Sequence, residues 1–339
     1  MMAGGVMERH AAIAGFLADA GWRDVAPAPL AADASFRRYF RLVDGERRAV
    51  LMDAPPPHED VRPYVAVAEI LRGHGLSAPV IYAEDAELGM LLIEDFGDDT
   101  YTRLLARGAD ERRLYALAID TLIALQGAVT MPPALPPYDE EALLREAELL
   151  VEWYAPAVLG ARLSSELHEE YLALWRELTP LVEAGEPTLV LRDYHVDNLM
   201  LLEGRSGIQG CGLLDFQDAL AGPAGYDLVS LLKDARRDVS PALREAMTER
   251  YLAAFPTIDR AGFNRAAAVL AAQRNAKIIG IFTRLWRRDG KPQYLSHVPR
   301  VWRLLEADLQ EPALGKLARW LDRHLPPGTR RVPDARKAA

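Results

Sequence analysis

The stretch Leu189-Val190-Leu191-Arg192-Asp193-Tyr194-His195-Val196-Asp197-Asn198-Leu199-Met200, with Leu213-Leu214-Asp215-Phe216 after it, constrains this chain most. Apolar runs of strand character flank a short polar loop. Asp193 stands five residues before Asn198, and Asp215 ends the next apolar run. A short loop can bring Asp193 and Asn198 to one point, and a neighbouring strand can deliver Asp215. Asp and Asn also favour ordinary turns, and each residue taken singly reads that way. Their order and flanking strands favour a site. One carboxylate would orient and deprotonate a hydroxyl. An amide oxygen and a second carboxylate are hard ligands of the kind Mg²⁺ takes.

Kinase-type phosphoryl transfer from ATP needs this set of groups. Against the pattern H-R-D-x-x-x-x-N, Arg192, Asp193 and Asn198 match, and Leu191 takes the His position. Asp215-Phe216-Gln217 stands where D-F-G is found, and Gly222-Pro223-Ala224-Gly225-Tyr226-Asp227-Leu228 follows. In these segments the chain resembles the aminoglycoside phosphotransferase/choline kinase-like family. The resemblance runs from about Ser35 to Arg303 and is strongest between Leu189 and Leu231. It implies an α+β, protein-kinase-like fold of two lobes, a small antiparallel-sheet N-lobe and a mainly helical C-lobe. It implies Asp193 as catalytic base, Asn198 and Asp215 as metal ligands, Asp227 as a brace of the catalytic loop, and ATP and Mg²⁺ as cofactors.

Four segments narrow the resemblance: Ser35 to Arg41, Val50 to Pro56, Leu191 to Leu199 and Gln273 to Leu285. They are similar to the bacterial anomeric kinases of cell-wall recycling, which phosphorylate N-acetylmuramate and N-acetylglucosamine at C1. The sugar is implied by that similarity alone. Other small-molecule alcohols of the wider family (an aminoglycoside, choline, a thioribose) are the enzymatic alternative. A nucleotide-binding pseudokinase is the alternative of a different class.

The pseudokinase is motivated by a missing lysine. The strand Ala49-Val50-Leu51-Met52-Asp53 carries none where the wider family pairs a lysine with the α/β-phosphates. Another cation must serve, and Arg37 and Arg38 lie nearest in sequence, where a Gly-rich loop would stand. Solvated strand residues are the alternative for both. Glu69 stands at the family's helical Glu position, with no lysine to meet. Adenine should be met by backbone around Glu94, Asp95 and Phe96.

For the acceptor, Arg274 and Lys277 lie three apart on one helix face, with Arg284 close to the same side. N-acetylmuramate carries a lactyl carboxylate, so a cation there would suit it; a solvated stripe is the alternative. His195 reads as a substrate contact or as a hydrogen-bonded structural histidine. Asp218 reads equally as a turn residue or a neighbour of the metal waters. Trp153, Tyr154 and Trp175 fit core packing better than sugar stacking.

The chain has 339 residues, half hydrophobic and 26% charged, which suits a globular protein of two lobes. Net charge −9 argues against nucleic acid as a partner. No apolar run is long enough to span a bilayer, and no secretory signal pattern stands in Met1 to Gly15, so no membrane partner and a cytoplasmic location are expected. The single cysteine, Cys211, has no intramolecular disulfide partner and reads as a buried strand residue. The expected partner is a small amino sugar, and oligomeric state is left open.

The expected order is a helix over Glu8 to Ala20, strands over Phe36 to Val43 and Arg48 to Met52 joined at Asp44-Gly45, a helix over Val61 to His74, and strands over Ala78 to Ala83 and Met90 to Glu94. Helices then follow over Glu111 to Gln126, Glu140 to Trp153, Ser164 to Val182, Pro241 to Phe255, Gly262 to Trp286 and Pro299 to Glu306, with a loop at Met131 to Pro137. An N-lobe over 1–97, a C-lobe over 98–328 and a flexible tail over 329–339 are expected.

Overall fold

A computed structural model describes residues 2–30, 36–128, 135–182 and 185–334. Ser35, the loop at Met131 to Pro133 and the last five residues lie outside the described residues. In chain order the elements are α1 (Met2–Asp19), β1 (Ala28–Pro29), β2 (Arg38–Asp44), β3 (Arg47–Asp53), α2 (Arg62–Gly73), β4 (Ile81–Asp85), β5 (Met90–Ile93), α3 (Tyr101–Ala106), α4 (Glu111–Ala128), α5 (Glu140–Ala147), α6 (Ala155–Leu159) and α7 (Ser165–Arg176). There follow β6 (Thr188–Val190), β7 (Leu199–Leu201), β8 (Cys211–Leu213), β9 (Leu220–Gly222), α8 (Gly225–Leu232), α9 (Pro241–Ala254), α10 (Arg260–Asp289), α11 (Val298–Asp308) and α12 (Gly315–His324).

The chain divides into two compact units, 1–121 with 196–218, and 122–195 with 219–339. The first holds an antiparallel sheet of order β1-β2-β3-β5-β4 and the small pair β7-β8. Gly45, at φ 59°, makes the β2-β3 turn, a conformation glycine adopts without steric cost. On one face of the sheet Leu42, Ala49, Leu51, Met90 and Leu92 pack with Ile13, Leu17 and Trp22, so the apolar side of α1 closes that face. Met52 and Val50, of opposite strand parity, are also buried.

The second unit is built on α10, a 30-residue helix. Asp259 caps its start by accepting the Ala261 and Gly262 amides, and Gly290 ends it at φ 66°. Around α10 lie α5, α8 and α11, and the strands β6 and β9 pair antiparallel. The core gathers Tyr154, Tyr171, Trp175, Trp302 and Trp320, so Tyr154 and Trp175 are packing residues.

The α+β class and the sheet-then-helices order stand as expected. Three details differ. The helix read over Glu140 to Trp153 stops at Ala147, and a π-helical turn follows at Leu150–Tyr154. There α10 passes so close that a Cβ on Gly280 would lie 2.3 Å from the Leu149 carbonyl carbon. The short helices α3, α6, α8 and α12 are additional. Residues expected to open the tail are docked: Arg330 donates to the Leu325 carbonyl and pairs with Glu306 and Asp322, while Tyr154 Oη donates to the Thr329 carbonyl.

Candidate active site

In the second unit, β6 delivers the loop that carries Asp193 and His195. Asp227, on α8, holds it: its carboxylate accepts the Leu191 amide at 2.7 Å and the Arg192 amide at 2.9 Å. Ser230 Oγ donates to the Arg192 carbonyl at 3.2 Å. Between these anchors Arg192 takes φ 69°, a left-handed backbone that costs energy for a residue with a Cβ. Burial pushes the Asp227 carboxyl up to about 7, against the two amide donors that favour its charged form.

Below the loop, Glu146 of α5 accepts from Lys277 Nζ at 2.8 Å and also pairs with Arg192. Tyr138 Oη donates to the same carboxylate. Burial would raise the Glu146 carboxyl, but Lys277 and Arg192 outweigh it and hold it at about 2. Lys277 is therefore committed to a fixed counter-charge. Its neighbour Arg274 is not. Arg274 is 4% exposed, its Nη1 is fully enclosed, and it forms no hydrogen bond or ion pair with a described residue.

Asp193 lies in the field of these cations. Its burial favours the neutral acid, yet Lys277, His195, Arg274 and Arg192 hold its carboxyl below the usual range. His195 is 5% exposed and its pKa is lowered as well, because burial and then Arg236 disfavour a second positive charge. Arg236 Nη1 approaches His195 Nε2 at 3.4 Å. Guanidinium can only donate, so Nε2 accepts and the neutral ring carries its proton on Nδ1. That Nδ1 is buried and has no acceptor among the described residues.

In the first unit, Asp215 follows β8 at φ 57°. Phe216 anchors it by packing at 4.7 Å on Tyr64 of α2. Its carboxylate accepts from Arg37 Nη2 at 3.1 Å, from Gln217 Nε2 at 2.9 Å and, at 3.5 Å, from Asn198 Nδ2. Asn198 and Asp215 supply hard oxygens, and Mg²⁺ keeps several waters and phosphate oxygens beside one or two protein ligands. Among the described residues no group of three or more His, Cys, Asp or Glu is arranged to hold a metal. Asp197, next to Asn198, accepts instead from Thr102 Oγ1 in the first turn of α3.

The two candidate phosphate arginines part at the start of β2, which Arg38 opens and Arg37 precedes. Arg38 is paired in register with Asp53, and its Nη2 reaches that buried carboxylate at 2.5 Å, beside Arg9 of α1 at 2.9 Å. Arg37 comes to Asp215, 8% exposed, with Glu59 at 3.8 Å. Glu69 is exposed and forms no ion pair with a described residue, so Glu59, ahead of α2, is the acidic neighbour of Arg37 that the sequence left unmarked.

At the expected hinge, Arg205 pairs with Glu94, donates to Ser77 Oγ at 3.0 Å and lies 5.3 Å over the Phe96 ring. The Glu94 amide is spent on the Val80 carbonyl at 2.8 Å. The Phe96 ring rests on Gly212, where a Cβ would come within 2.9 Å. Arg205 and Gly212 were not singled out from the sequence, because both act through partners distant along the chain.

The model of the phosphotransferase enzyme family matches residues 27–263. N-acetylmuramate/N-acetylglucosamine kinase of Pseudomonas aeruginosa is 44% identical, with 89% of this chain and 90% of that protein covered. The kinase of the same name from Caulobacter vibrioides is 39% identical over 96% of this chain and 99% of that one. Among solved structures, choline kinase from Streptococcus pneumoniae superposes with TM-score 0.61 at 13% identity, covering 89% of this chain and 99% of that chain. A choline/ethanolamine kinase family protein from Mesorhizobium loti gives 0.60 at 13% identity, covering 90% and 92%. No helix among the described residues is long and apolar enough to cross a membrane. The chain belongs to the phosphotransferase enzyme family, with the protein-kinase-like fold of that family and the chemistry of a kinase acting on an alcohol.

Proposed function

We propose that this protein transfers the γ-phosphoryl group of ATP to the anomeric hydroxyl of N-acetylmuramate and N-acetylglucosamine, in the cytoplasm, as part of peptidoglycan recycling. The observation that carries this reading is the run of relatives bearing that kinase's name at 37–44% identity over 80–96% of the chain. The charges of the second unit support an acceptor that is neutral or anionic. Arg192, Arg274 and Lys277 all act on Asp193, whereas an aminoglycoside or choline is a cation.

In this reading Asp193 accepts a hydrogen bond from the acceptor hydroxyl and holds its oxygen in line. Phosphoryl transfer has a loose transition state, so positioning outweighs strong basicity, and an acidic, fully ionised carboxylate suffices. Asn198 and Asp215 hold Mg²⁺, which when bound neutralises charge on the nucleotide phosphates. Arg37 takes the place of the absent lysine, since Met52 is buried and uncharged. Backbone at Glu94 to Phe96 meets adenine, and Arg205 fixes that segment.

The test is ADP release with ATP and Mg²⁺ across a panel containing both sugars, choline, an aminoglycoside and no acceptor, with the product anomer identified by NMR. A C1-phosphate from both sugars is expected. Turnover of choline or the aminoglycoside alone would move the acceptor elsewhere in the family. Nucleotide binding without turnover of any acceptor would leave a pseudokinase.

A further inference from the structure

We infer that Arg274 is the residue that reads the carboxylate of an acidic amino sugar, and so sets preference for N-acetylmuramate over N-acetylglucosamine. The inference rests on the function proposed above and goes further by assigning the discrimination to one side chain. The argument begins with a cost. A guanidinium buried without a hydrogen-bond acceptor loses its hydration, and attraction to the Asp193 and Asp227 carboxylates replaces none of its lost hydrogen bonds. Arg274 is 4% exposed on α10, and no described residue accepts from it. Lys277, one turn on, shows the contrast: its ammonium has the Glu146 carboxylate at 2.8 Å. Of the two cations, only Arg274 retains hydrogen-bond donors for an incoming anion.

Its position fits the role. Arg274 acts electrostatically on both Asp193 and His195, which places it within the same charged cluster as the loop carboxylate. His195 adds a second enclosed donor, the Nδ1–H that lacks an acceptor. One cationic donor and one neutral donor match a sugar carrying one carboxylate and several neutral oxygens. The carboxylate goes to Arg274, because a charge-assisted, bidentate contact is the stronger and the more directional. His195 is left to a hydroxyl or carbonyl oxygen. N-acetylglucosamine offers the neutral oxygens but no anion, so it leaves Arg274 without its partner.

The experiment compares kcat/KM on N-acetylmuramate, on N-acetylglucosamine and on N-acetylmuramate whose lactyl carboxylate is converted to the primary amide. Wild type, Arg274→Gln and Arg274→Lys are assayed, with thermal melting and Mg·ATP titration as checks of fold. Arg274→Gln is expected to lower the ratio of N-acetylmuramate to N-acetylglucosamine at least about tenfold, the size of one charge-assisted contact. Arg274→Lys should recover part of that ratio by restoring charge. The amide sugar should follow N-acetylglucosamine in every variant. Equal losses on all three sugars would overturn the inference and make Arg274 a charge-balancing residue for Asp193, with the proposed function standing. Wild type that turns over neither sugar would overturn both.

Discussion

Asp193 and Arg37 carry the sharpest consequences at the scale of single residues. Replacing Asp193 by Asn keeps shape but removes the acceptor of the hydroxyl proton. Its kcat should fall about a hundred- to ten-thousandfold, with Mg·ATP affinity nearly unchanged. Turnover above a tenth of wild type would remove Asp193 from the role. Arg37→Ala should raise the KM for ATP by roughly ten- to a hundredfold, the worth of a charge-assisted contact. Arg38→Ala should leave that KM alone, because Arg38 serves Asp53 on the other side of the sheet, where Arg9 remains. Equal effects of the two substitutions would contradict the division that their separate carboxylate partners draw. A division of this kind was within reach of the strand expected over Phe36 to Val43, since neighbouring strand residues point to opposite faces, although β2 itself begins only at Arg38. What the sequence withheld was the face each would take, since Asp53 and Asp215 lie 15 and 178 residues away from their arginines. The same holds for Arg274 and Lys277. Helical spacing put both on one side of α10, and only Glu146, 131 residues from Lys277, tells them apart.

Elements made chiefly by local signals were legible, and elements shaped by a neighbour were not. The β2-β3 hairpin is written in Asp44-Gly45, and α10 in a cap, an apolar pattern and a terminal glycine. The break after α5 is different. Nothing in Glu140 to Trp153 interrupts helical spacing, and the π turn at Leu150–Tyr154 coincides with the close passage of α10 at Gly280. A π turn inside a helix carries one extra residue and shifts the backbone beyond it. A mid-helix glycine normally costs about 0.5–1 kcal/mol relative to alanine, so keeping one implies that its missing side chain matters. Gly280→Ala should therefore destabilise rather than gain propensity. With a Cβ 2.3 Å from the Leu149 carbonyl carbon, the backbones must separate, at about 1–3 kcal/mol or more. Thermal melting decides it: an unchanged or raised Tm would mean the two helices are not held at this distance. A short helix such as α8 went unread for a related reason. Its Asp227 was recognised as a brace, but the eight residues of α8 are all buried and show no polar face to mark a helix.

For the whole molecule, the consequence is a defined weakness toward acid. Glu146 is a single buried carboxylate between two cations, Lys277 and Arg192, with Tyr138 also donating to it. Its carboxyl titrates at about 2 in the folded protein against an ordinary value of 4.5. A folded-state value below the unfolded one means the unfolded chain takes up the proton first as pH falls. The stabilisation is thus complete above about pH 4.5 and disappears as the pH drops toward 2. Its size is about 3 kcal/mol, from a shift of that extent at roughly 1.4 kcal/mol per pH unit. Glu146→Gln should show two linked changes. Stability at neutral pH should drop by about 3–5 kcal/mol, because the buried Lys277 and the half-buried Arg192 lose their counter-charge. The slope of stability between pH 4.5 and 2 should flatten relative to wild type, because the titrating group is gone. Denaturant melts across that range measure both. The paired readout separates charge from packing, since a merely looser core would lower stability at every pH and leave the slope as it was. A variant with wild-type stability and wild-type slope would mean that Glu146 does not anchor the loop carrying Asp193 in the way its contacts describe.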